Sequence, residues 1–299
     1  MSTDRTRALA GVRSLIGPVG LWAGGLTRAP AGVPSAAARV AERAGFGALW
    51  GGEVLNGRDI FEVHAEMLSA TTSLTTATGI ANMQVRDAAT AARRVWALHD
   101  SHPSRFIAGF GTSHRELTNA STAPSVLDTA AEYLRAFRAA YGDPVTPPVL
   151  LAALGPRMLQ LSAERADGAH TYFASPAHTA EARAALGPDP MLVPQIAAVF
   201  ARHGEVPEAA RRHVTALLAK RNYARSVMRM GLNPADAETV ARALVAVGDA
   251  DAIAEAIMAH LDAGADHVAV QLVGVAAEDL PAWEGQLTAL CSAVRRVAA

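Results

Sequence analysis

The sequence predicts an α/β protein folded as a (β/α)8 barrel, the TIM-barrel architecture. Eight short apolar segments alternate with longer segments of helical periodicity, which is the pattern of this fold class. The first apolar segment is not followed by the GxGxxG turn that is typical of a doubly wound open sheet. The chain has 299 residues, against roughly 250 in a typical barrel, so we expect one domain over 1–299 that carries insertions.

The predicted strands are short apolar runs that end near glycine or a polar residue, as parallel strands buried on both faces do. They are Gly17–Ala23, Ala48–Glu53, Leu74–Ile80, Phe106–Gly111, Val149–Ala153, Gly168–Phe173, Leu192–Phe200 and His267–Leu272. The apolar stretch from Leu15 to Trp22 is interrupted by Gly17, Pro18 and Gly20, so we interpret it as the first strand and not as a signal peptide. No apolar run reaches the roughly 20 residues of a membrane span, and we expect no membrane partner.

Helices are predicted between the strands from apolar spacing and from capping residues. One apolar stripe at helical spacing consists of Val126, Leu127, Ala130, Tyr133, Leu134, Phe137 and Tyr141. Ser175 before Pro176 is a typical helix N-cap, and we expect Asp249 and Asp87 to cap the helices that follow them.

Two long segments account for the extra length. Extra helical structure is expected after the fourth and seventh strands, in Thr112–Pro148 and Ala201–Val247. The break Gly231-Leu232-Asn233-Pro234 divides the second segment into two predicted helices.

Composition indicates a globular protein, since 51% of the residues are hydrophobic and 18% are charged. Cys291 is the single cysteine, so no intrachain disulfide forms and a reducing, cytoplasmic location is expected. The net charge of −1 and the lack of a basic stripe argue against a nucleic-acid partner. His99 and His102 flank Asp100, but they precede a strand at the barrel end that serves stability, so no metal site is predicted.

Candidate ligand-binding residues follow the predicted strands, at the barrel end where such enzymes carry their active sites. The fourth strand ends in Gly111 and is followed by Thr112, Ser113 and His114. The other strand ends carry glycines, indoles and few charges: Trp22, Gly24 and Gly25; Trp50, Gly51, Gly52 and Glu53; Gly79, Ile80 and Asn82; Gly155, Pro156 and Arg157; Tyr172, Phe173 and Ser175; and Gln271. We expect the glycines to let a ligand approach the backbone and the mouth to hold a planar aromatic cofactor.

Each candidate has a structural alternative. Glu53 could accept a hydrogen bond from a ring N–H or exchange a proton, or it could form an ion pair with an arginine such as Arg58. His114 could act as a general acid or base, or face solvent. The helix that begins near Gly155 and Arg157 could hold a phosphate at its N-terminus, or be an ordinary strand-to-helix connection, and Ser175 marks a second such N-terminus.

Several segments, taken in order, resemble the luciferase-like monooxygenase superfamily, and more narrowly its actinobacterial branch that uses coenzyme F420, a deazaflavin. They are Ala44–Glu53, Thr76–Ile80, Arg105–Ser113, Pro148–Met158, Ala166–Ala169, Lys220–Tyr223 and Ala263–Val268. The resemblance covers nearly the whole chain and implies a bacterial-luciferase-like barrel with the redox cofactor at its C-terminal mouth.

The resemblance also implies roles for individual residues. A cis peptide between Gly79 and Ile80 would form a bulge behind the cofactor ring, which Glu53 would contact. The remaining implied cofactor-binding residues are Trp50, Asn82, Thr112, Ser113, Gly155, Pro156, Arg157 and Ser175. In the leading hypothesis, given below, Trp22 would line the substrate pocket with Trp50, and His114 is the remaining candidate for transferring the substrate proton.

Two departures from the family pattern limit what can be carried over. Several relatives place a histidine directly after the second-strand acid, where this chain has Val54, and some place a glutamate where His114 falls. The leading hypothesis is an F420-dependent oxidoreductase that transfers hydride to or from a small organic substrate. The alternatives are an FMN-dependent monooxygenase supplied with reduced cofactor by a separate reductase, and a non-catalytic flavin-binding barrel.

A homodimer is the expected assembly, since superfamily relatives often pair through helices near the second and third strands. Residues of this region that could serve are Phe61, Val63, Met67, Leu68 and Trp96. The same residues also suit ordinary packing of helices on the barrel.

Overall fold

A closed barrel of eight parallel strands, surrounded by helices, forms the centre of the molecule and confirms the predicted fold class. The structure is a computed structural model that describes residues 3–112, 125–141, 147–202, 204–275 and 279–297. The bounds of the barrel strands are β1 Val19–Ala23, β2 Ala48–Gly51, β3 Thr75–Thr78, β5 Phe106–Gly111, β6 Val149–Ala152, β7 Gly168–Tyr172, β8 Met191–Phe200 and β10 Val268–Leu272. These strands pair in the order β1, β2, β3, β5, β6, β7, β8 and β10, and β10 also pairs with β1 to close the cylinder.

All eight predicted strands are present, and two short strands extend the sheet. Strand β4, Ala81–Asn82, pairs with β5, and β9, Val245–Gly248, pairs with β8. The helices of the described residues are α1 Thr3–Ile16, α2 Val33–Ala44, α3 Ile60–Ser69, α4 Ala88–Ser101, α5 Val126–Tyr141, α6 Pro156–Arg165, α7 Pro176–Leu186, α8 Glu208–Leu218, α9 Arg221–Arg229, α10 Ala237–Leu244, α11 Ala250–Asp262 and α12 Leu280–Val297.

Alternation along each strand divides the core into two layers. One set of side chains, such as Leu49, Phe106 and Ile196, is buried between the strands and the outer helices. The other set fills the barrel interior, where Trp50 and Ile107 pack at 0% exposure. The interior is therefore a packed core below the mouth, as in other barrels of this size.

Helix α1 covers the N-terminal end of the barrel, a feature that the sequence reading missed. Leu9, Val12 and Ile16 lie on one face of the helix and join the apolar cluster of the barrel interior. The prediction that the stretch from Leu15 onward is strand is wrong at its start, because Leu15 and Ile16 form the last turn of α1.

Ion pairs fix α1 to the residues that precede two barrel strands. Arg5 pairs with Asp167, directly before β7. The Arg13 guanidinium lies 2.7 Å from Asp266, which precedes β10 and also binds Arg183 at 2.6 Å. These contacts place charged groups at the closed end of the barrel.

The predicted helix caps are confirmed. Ser175 accepts a hydrogen bond from the backbone N–H of His178, and Asp87 and Asp249 cap α4 and α11 in the same way. The segment after β8 contains three helices, α8, α9 and α10, where two were predicted, and the break at Gly231–Pro234 separates the last two. The described part of Thr112–Pro148 contains one helix, α5.

Most of the predicted dimer residues are used by the fold itself. Phe61, Val63, Met67 and Leu68 are at most 2% exposed, because they pack against the barrel and neighbouring helices. Trp96 is 52% exposed on α4. Among the described residues, no helix combines the length and the hydropathy needed to cross a membrane.

Candidate functional site

The indole of Trp22 lies across the C-terminal mouth of the barrel and reaches the end of β3. Its Nε1 donates a hydrogen bond to the carbonyl oxygen of Gly79 at 3.0 Å. A β-carbon at Gly24, Gly52 or Gly79 would lie 3.0, 3.0 or 2.7 Å from atoms of this indole. These glycines therefore make room for Trp22, and approach of a ligand to their backbone stays a prediction. Trp22 is half-buried, so part of its surface is available at the mouth.

The glycine that ends β5 has a similar packing role. A β-carbon on Gly111 would meet Ile80 at 2.9 Å and Ala152 at 3.0 Å. The peptide bond between Gly79 and Ile80 is cis, as the sequence comparison implied. Ile80 thus lies between the ends of β3 and β5, where it occupies the space that Gly111 leaves.

Glu53 follows β2 and forms an ion pair with Arg86, not with Arg58. Arg86 contacts both carboxylate oxygens, and its Nη1 lies 3.0 Å from Oε2. The backbone N–H of Asn82 donates to the same Oε2 at 2.7 Å. The two charged side chains are only 8% and 4% exposed, and Arg58 instead binds Glu66 at 2.6 Å.

Charge pairing stabilises the protonated form of Arg86. Burial disfavours the charged form of Arg86, but the hydrogen bond and the charge of Glu53 outweigh it and raise the Arg86 pKa. The Arg86 guanidinium also stacks over the Phe61 ring at 5.0 Å. Because its oxygens already accept these hydrogen bonds, Glu53 holds the ends of β2 and β4 together in this structure.

Trp50 lies inside the barrel and not at the mouth. It is 0% exposed, its ring stacks on His170 with centroids 4.9 Å apart, and its Nε1 donates to His267 Nε2 at 3.1 Å. His267 Nδ1 in turn donates to the carbonyl of Gly17 at 2.7 Å. This placement does not support the predicted contact of Trp50 with a cofactor, since no surface of the ring faces the mouth.

His170 stacks on Trp50, and its Nε2 lies 3.0 Å from the place where a β-carbon of Gly79 would stand. Its Nδ1 donates to the carbonyl of Val193 at 2.9 Å, which leaves Nε2 as an acceptor, and no described residue donates to it. Burial lowers the pKa of His170 to about 4, with a smaller opposing effect from the Val193 hydrogen bond. The ring is therefore neutral at physiological pH.

A network of amide and hydroxyl groups spans the opposite side of the mouth from the Glu53 pair. Gln195 Nε2 and the Tyr172 hydroxyl both donate to Gln271 Oε1, at 2.8 and 2.9 Å. The backbone N–H of Phe173 donates to Gln195 Oε1 at 3.4 Å. The Tyr172 ring packs edge-on against Trp22, with centroids 5.6 Å apart. These side chains come from β7, β8 and β10 and point into the barrel.

The N-terminus of α6 offers a candidate anion site. Gly155 is its N-cap and Pro156 its first residue, and no side chain in the described part of the chain caps the helix. A β-carbon on Gly155 would meet only the Arg229 guanidinium, at 3.7 Å or more, so this glycine has open space beside it. Arg229 donates to the carbonyl of Leu154 at 3.0 Å, and Arg157 is exposed nearby in the first turn.

The other predicted site residues divide into described and undescribed ones. Asn82 is 5% exposed and accepts from the backbone N–H of Gln84 at 2.9 Å. Thr112 is half-buried directly after β5. The Ser175 hydroxyl caps α7. Ser113 and His114 lie outside the described residues, so their roles remain predictions.

The sequence reading missed Arg86, Gln195 and Arg229 as site residues. For Gln195, the available signal in the sequence was a polar residue in the middle of an apolar strand, and in the structure this residue is fully buried. Arg229 belongs to a helix that only folding brings to the α6 N-terminus.

Comparisons with known proteins agree with this architecture. A model of the luciferase-like monooxygenase family matches residues 34–267. A 5,10-methylenetetrahydromethanopterin reductase from Methanolobus tindarius is 28% identical over 153 residues, 44% of this chain and 47% of that relative. The match therefore spans about half of the relative's length.

Two solved structures share the fold along almost the whole chain. The coenzyme F420-dependent tetrahydromethanopterin reductase from Methanopyrus kandleri superposes with a TM-score of 0.74 at 16% identity, covering 94% of this chain and 99% of its own. The oxygenating constituent of 3,6-diketocamphane monooxygenase from Pseudomonas putida, in complex with FMN, gives 0.72 at 15% identity, covering 93% and 97%. Since the family model matches most of the sequence and the barrel closes as expected, this chain belongs to the luciferase-like monooxygenase family and is an enzyme.

Proposed function

We propose that this enzyme is an F420-dependent oxidoreductase that transfers hydride between the deazaflavin C5 and a small organic substrate. The observation that carries the proposal is the sequence identity with the methylenetetrahydromethanopterin reductase from Methanolobus tindarius. The tetrahydromethanopterin reductase from Methanopyrus kandleri, whose structure shares the fold of this chain, depends on coenzyme F420. The solved FMN enzyme resembles this chain at the level of fold.

The residues of the mouth fit a long cofactor with a flat ring at one end and a phosphate at the other. Trp22 offers a partly exposed planar surface beside Gly79 and Ile80. The uncapped α6 N-terminus has space at Gly155 and two arginines, Arg157 and Arg229, near it. A helix N-terminus and a guanidinium both favour a bound anion.

Bound F420 would supply a carbon that accepts or donates hydride, and the chain would supply position and a dry site. Trp22, Gly79 and Ile80 would orient the ring, while Gly155, Arg157 and Arg229 would hold the phosphate region. The Glu53–Arg86 pair would keep the ends of β2 and β4 fixed beside them. Proton transfer to the substrate remains assigned to His114 as a prediction.

The second candidate keeps the same site and changes the cofactor. An FMN-dependent monooxygenase is favoured by the family model and by the FMN-bound diketocamphane enzyme. Such an enzyme would consume oxygen and would depend on a separate reductase for reduced FMN.

The test is a titration of the purified protein with F420 and, separately, with FMN, in which tryptophan fluorescence reports binding. F420 is expected to bind at micromolar concentration and FMN more weakly. Arg229→Ala should weaken F420 binding, whereas Arg225→Ala, which removes an exposed arginine of the same helix, should not. Tighter binding of FMN, together with oxygen uptake during turnover, would support the second candidate instead.

A further inference from the structure

The hydrogen-bond network of Gln271, Gln195 and Tyr172 has a fixed direction. The N–H of Phe173 is a backbone donor and cannot exchange roles, so the side-chain atom facing it must be Gln195 Oε1. Gln195 therefore turns its Nε2 toward Gln271, and the atom that receives it must be Gln271 Oε1. Turning the Gln271 amide over would set two NH2 groups against each other.

This direction leaves the NH2 group of Gln271 facing the mouth. Gln271 Nε2 lies 3.6 Å from the place where a β-carbon of the exposed Gly24 would stand, and Trp22 Cζ3 lies 3.0 Å from that same place. Among the described residues, none accepts a hydrogen bond from Gln271 Nε2. An oriented amide donor thus remains unused beside the exposed part of the indole.

The described groups around this donor are uncharged. Burial raises the Tyr172 pKa well above its usual value, so its hydroxyl keeps its proton. Gln195 is neutral and 0% exposed, and the buried His170 carries no charge at physiological pH. On the other side of the mouth, the charges of Glu53 and Arg86 neutralise each other in an ion pair. A charged ligand group would find no counter-ion among these neighbours, whereas a neutral acceptor would find a donor.

The two ends of the Trp22 indole face different parts of the mouth. Nε1 binds the Gly79 carbonyl, beside the cis peptide where the cofactor ring is expected. Cζ3, at the far end of the ring system, lies toward Gly24 and Gln271. The free amide donor is therefore at the end of the indole that is remote from the expected position of the cofactor.

We propose that Gln271 Nε2, held by Gln195 and Tyr172 beside Trp22, forms the substrate subsite and binds an uncharged oxygen acceptor, a carbonyl or hydroxyl group, of the substrate. The inference rests on the proposed function, because it names the substrate class of the same site. Gln195 and Tyr172 act as positioning residues for the Gln271 amide, and Gln271 is the residue that determines specificity.

The experiment measures binding of cyclohexanone, a neutral ketone probe, by ligand-observed NMR, with and without F420. Gln271→Leu removes the donor at similar volume, and the cyclohexanone dissociation constant should rise about fivefold, as expected for one lost neutral hydrogen bond. Gln160→Leu, at an exposed glutamine of α6, is the matched control and should leave this constant unchanged. Circular dichroism checks that each variant is folded.

Gln271→Glu tests the direction of the network. The carboxylate still accepts from Gln195 and Tyr172, but it turns an oxygen toward the mouth where the wild type has NH2. Cyclohexanone should bind at least as weakly as to Gln271→Leu, and cyclohexylammonium should bind about fivefold more tightly than to the wild type.

The outcomes separate the subsite from the cofactor. The dissociation constant of F420 should change less than twofold in both Gln271 variants; a parallel loss of F420 affinity would overturn the proposal, because Gln271 would then contact the cofactor. Equal cyclohexanone affinity in the wild type and Gln271→Leu, or no binding to the wild type, would also overturn it. If F420 fails to bind while Gln271 still controls cyclohexanone binding, the proposed function fails and the subsite stands.

Discussion

Two sides of the barrel mouth differ in how completely their polar groups are paired. Beside β2 and β3, the Glu53 carboxylate accepts from Arg86 and from the Asn82 backbone. Beside β7, β8 and β10, the Gln271 amide uses its oxygen twice and leaves its NH2 group unused among the described residues. The first side is built to hold its own structure, and the second retains a group that a ligand can use.

The difference shows that a buried charge near a mouth can have its own partners within the fold. From sequence alone, the Glu53 carboxylate could exchange a proton or form an ion pair with an arginine, and in the folded protein it forms an ion pair with Arg86. Gln271 was a candidate only through its place at a strand end, because an isolated glutamine in a strand has no spacing that predicts a chemical role.

Removal of Arg86 should have the largest effect. Arg86→Met leaves the Glu53 carboxylate buried without a counter-ion, which costs about 3 kcal/mol or more in free energy of unfolding. Urea unfolding monitored by circular dichroism measures the loss. The double variant Glu53→Gln/Arg86→Met should recover a large part of it, since no buried charge remains. If both variants lose the same stability, the Glu53 charge is not the cause.

Acidification should reveal the buried histidines next. His64 is fully buried against the Phe106 ring, and burial lowers its pKa to about 3. In the unfolded chain His64 has a pKa near 6.5 and is protonated below that pH, whereas in the folded chain it stays neutral until the pH approaches 3. The free energy of unfolding is therefore unaffected by His64 above about pH 6.5. It falls as the pH drops toward 3, by about 2 kcal/mol at pH 5 for this residue.

His64→Met tests this linkage. Its urea midpoint should fall less than that of the wild type between pH 7.5 and 5, because the variant lacks one histidine that takes up a proton on unfolding. His170 and His267, whose pKa values burial lowers to about 4, should keep part of the slope in both proteins. Identical slopes for the variant and the wild type would contradict the assignment to His64.

Glycine substitutions should give the smallest effects, with opposite signs at two places. Gly52→Ala puts a β-carbon 3.0 Å from both Trp22 and the Gly79 carbonyl, so overpacking should cost about 1–2 kcal/mol. Gly11→Ala, in an exposed part of α1 with no atom within 4 Å of the new β-carbon, should stabilise by about 0.5–1 kcal/mol. Thermal unfolding of the pair measures both. Stabilisation by Gly52→Ala would show that the indole does not need this glycine.

The barrel itself was predictable because buried parallel strands leave a local signature. Each of the eight apolar runs is a strand, and the turn chemistry of Ser175, Asp87 and Asp249 gave the correct helix starts. Helix α1 escaped because its apolar residues merge with the first strand at Leu15. The spacing of Leu9, Val12 and Ile16 could have revealed it.

The site was harder to predict because its contacts join residues that are distant in sequence. Glu53 meets Arg86, and Gln195 meets Gln271, only after the strands close. The strand-end glycines were predicted to leave space for a ligand, and in the structure the Trp22 indole lies against three of them. Whether a ligand or a side chain fills that space depends on where Trp22 lies, which local pattern does not determine.

Helix α1, which covers the N-terminal end of the barrel, offers a site for attaching the protein to a surface. Ser14 lies on the solvent side of α1, at the end remote from the mouth. A thiol placed there by Ser14→Cys, in a Cys291→Ser background, would tether the enzyme to an electrode or bead with its opening directed outward into the solution.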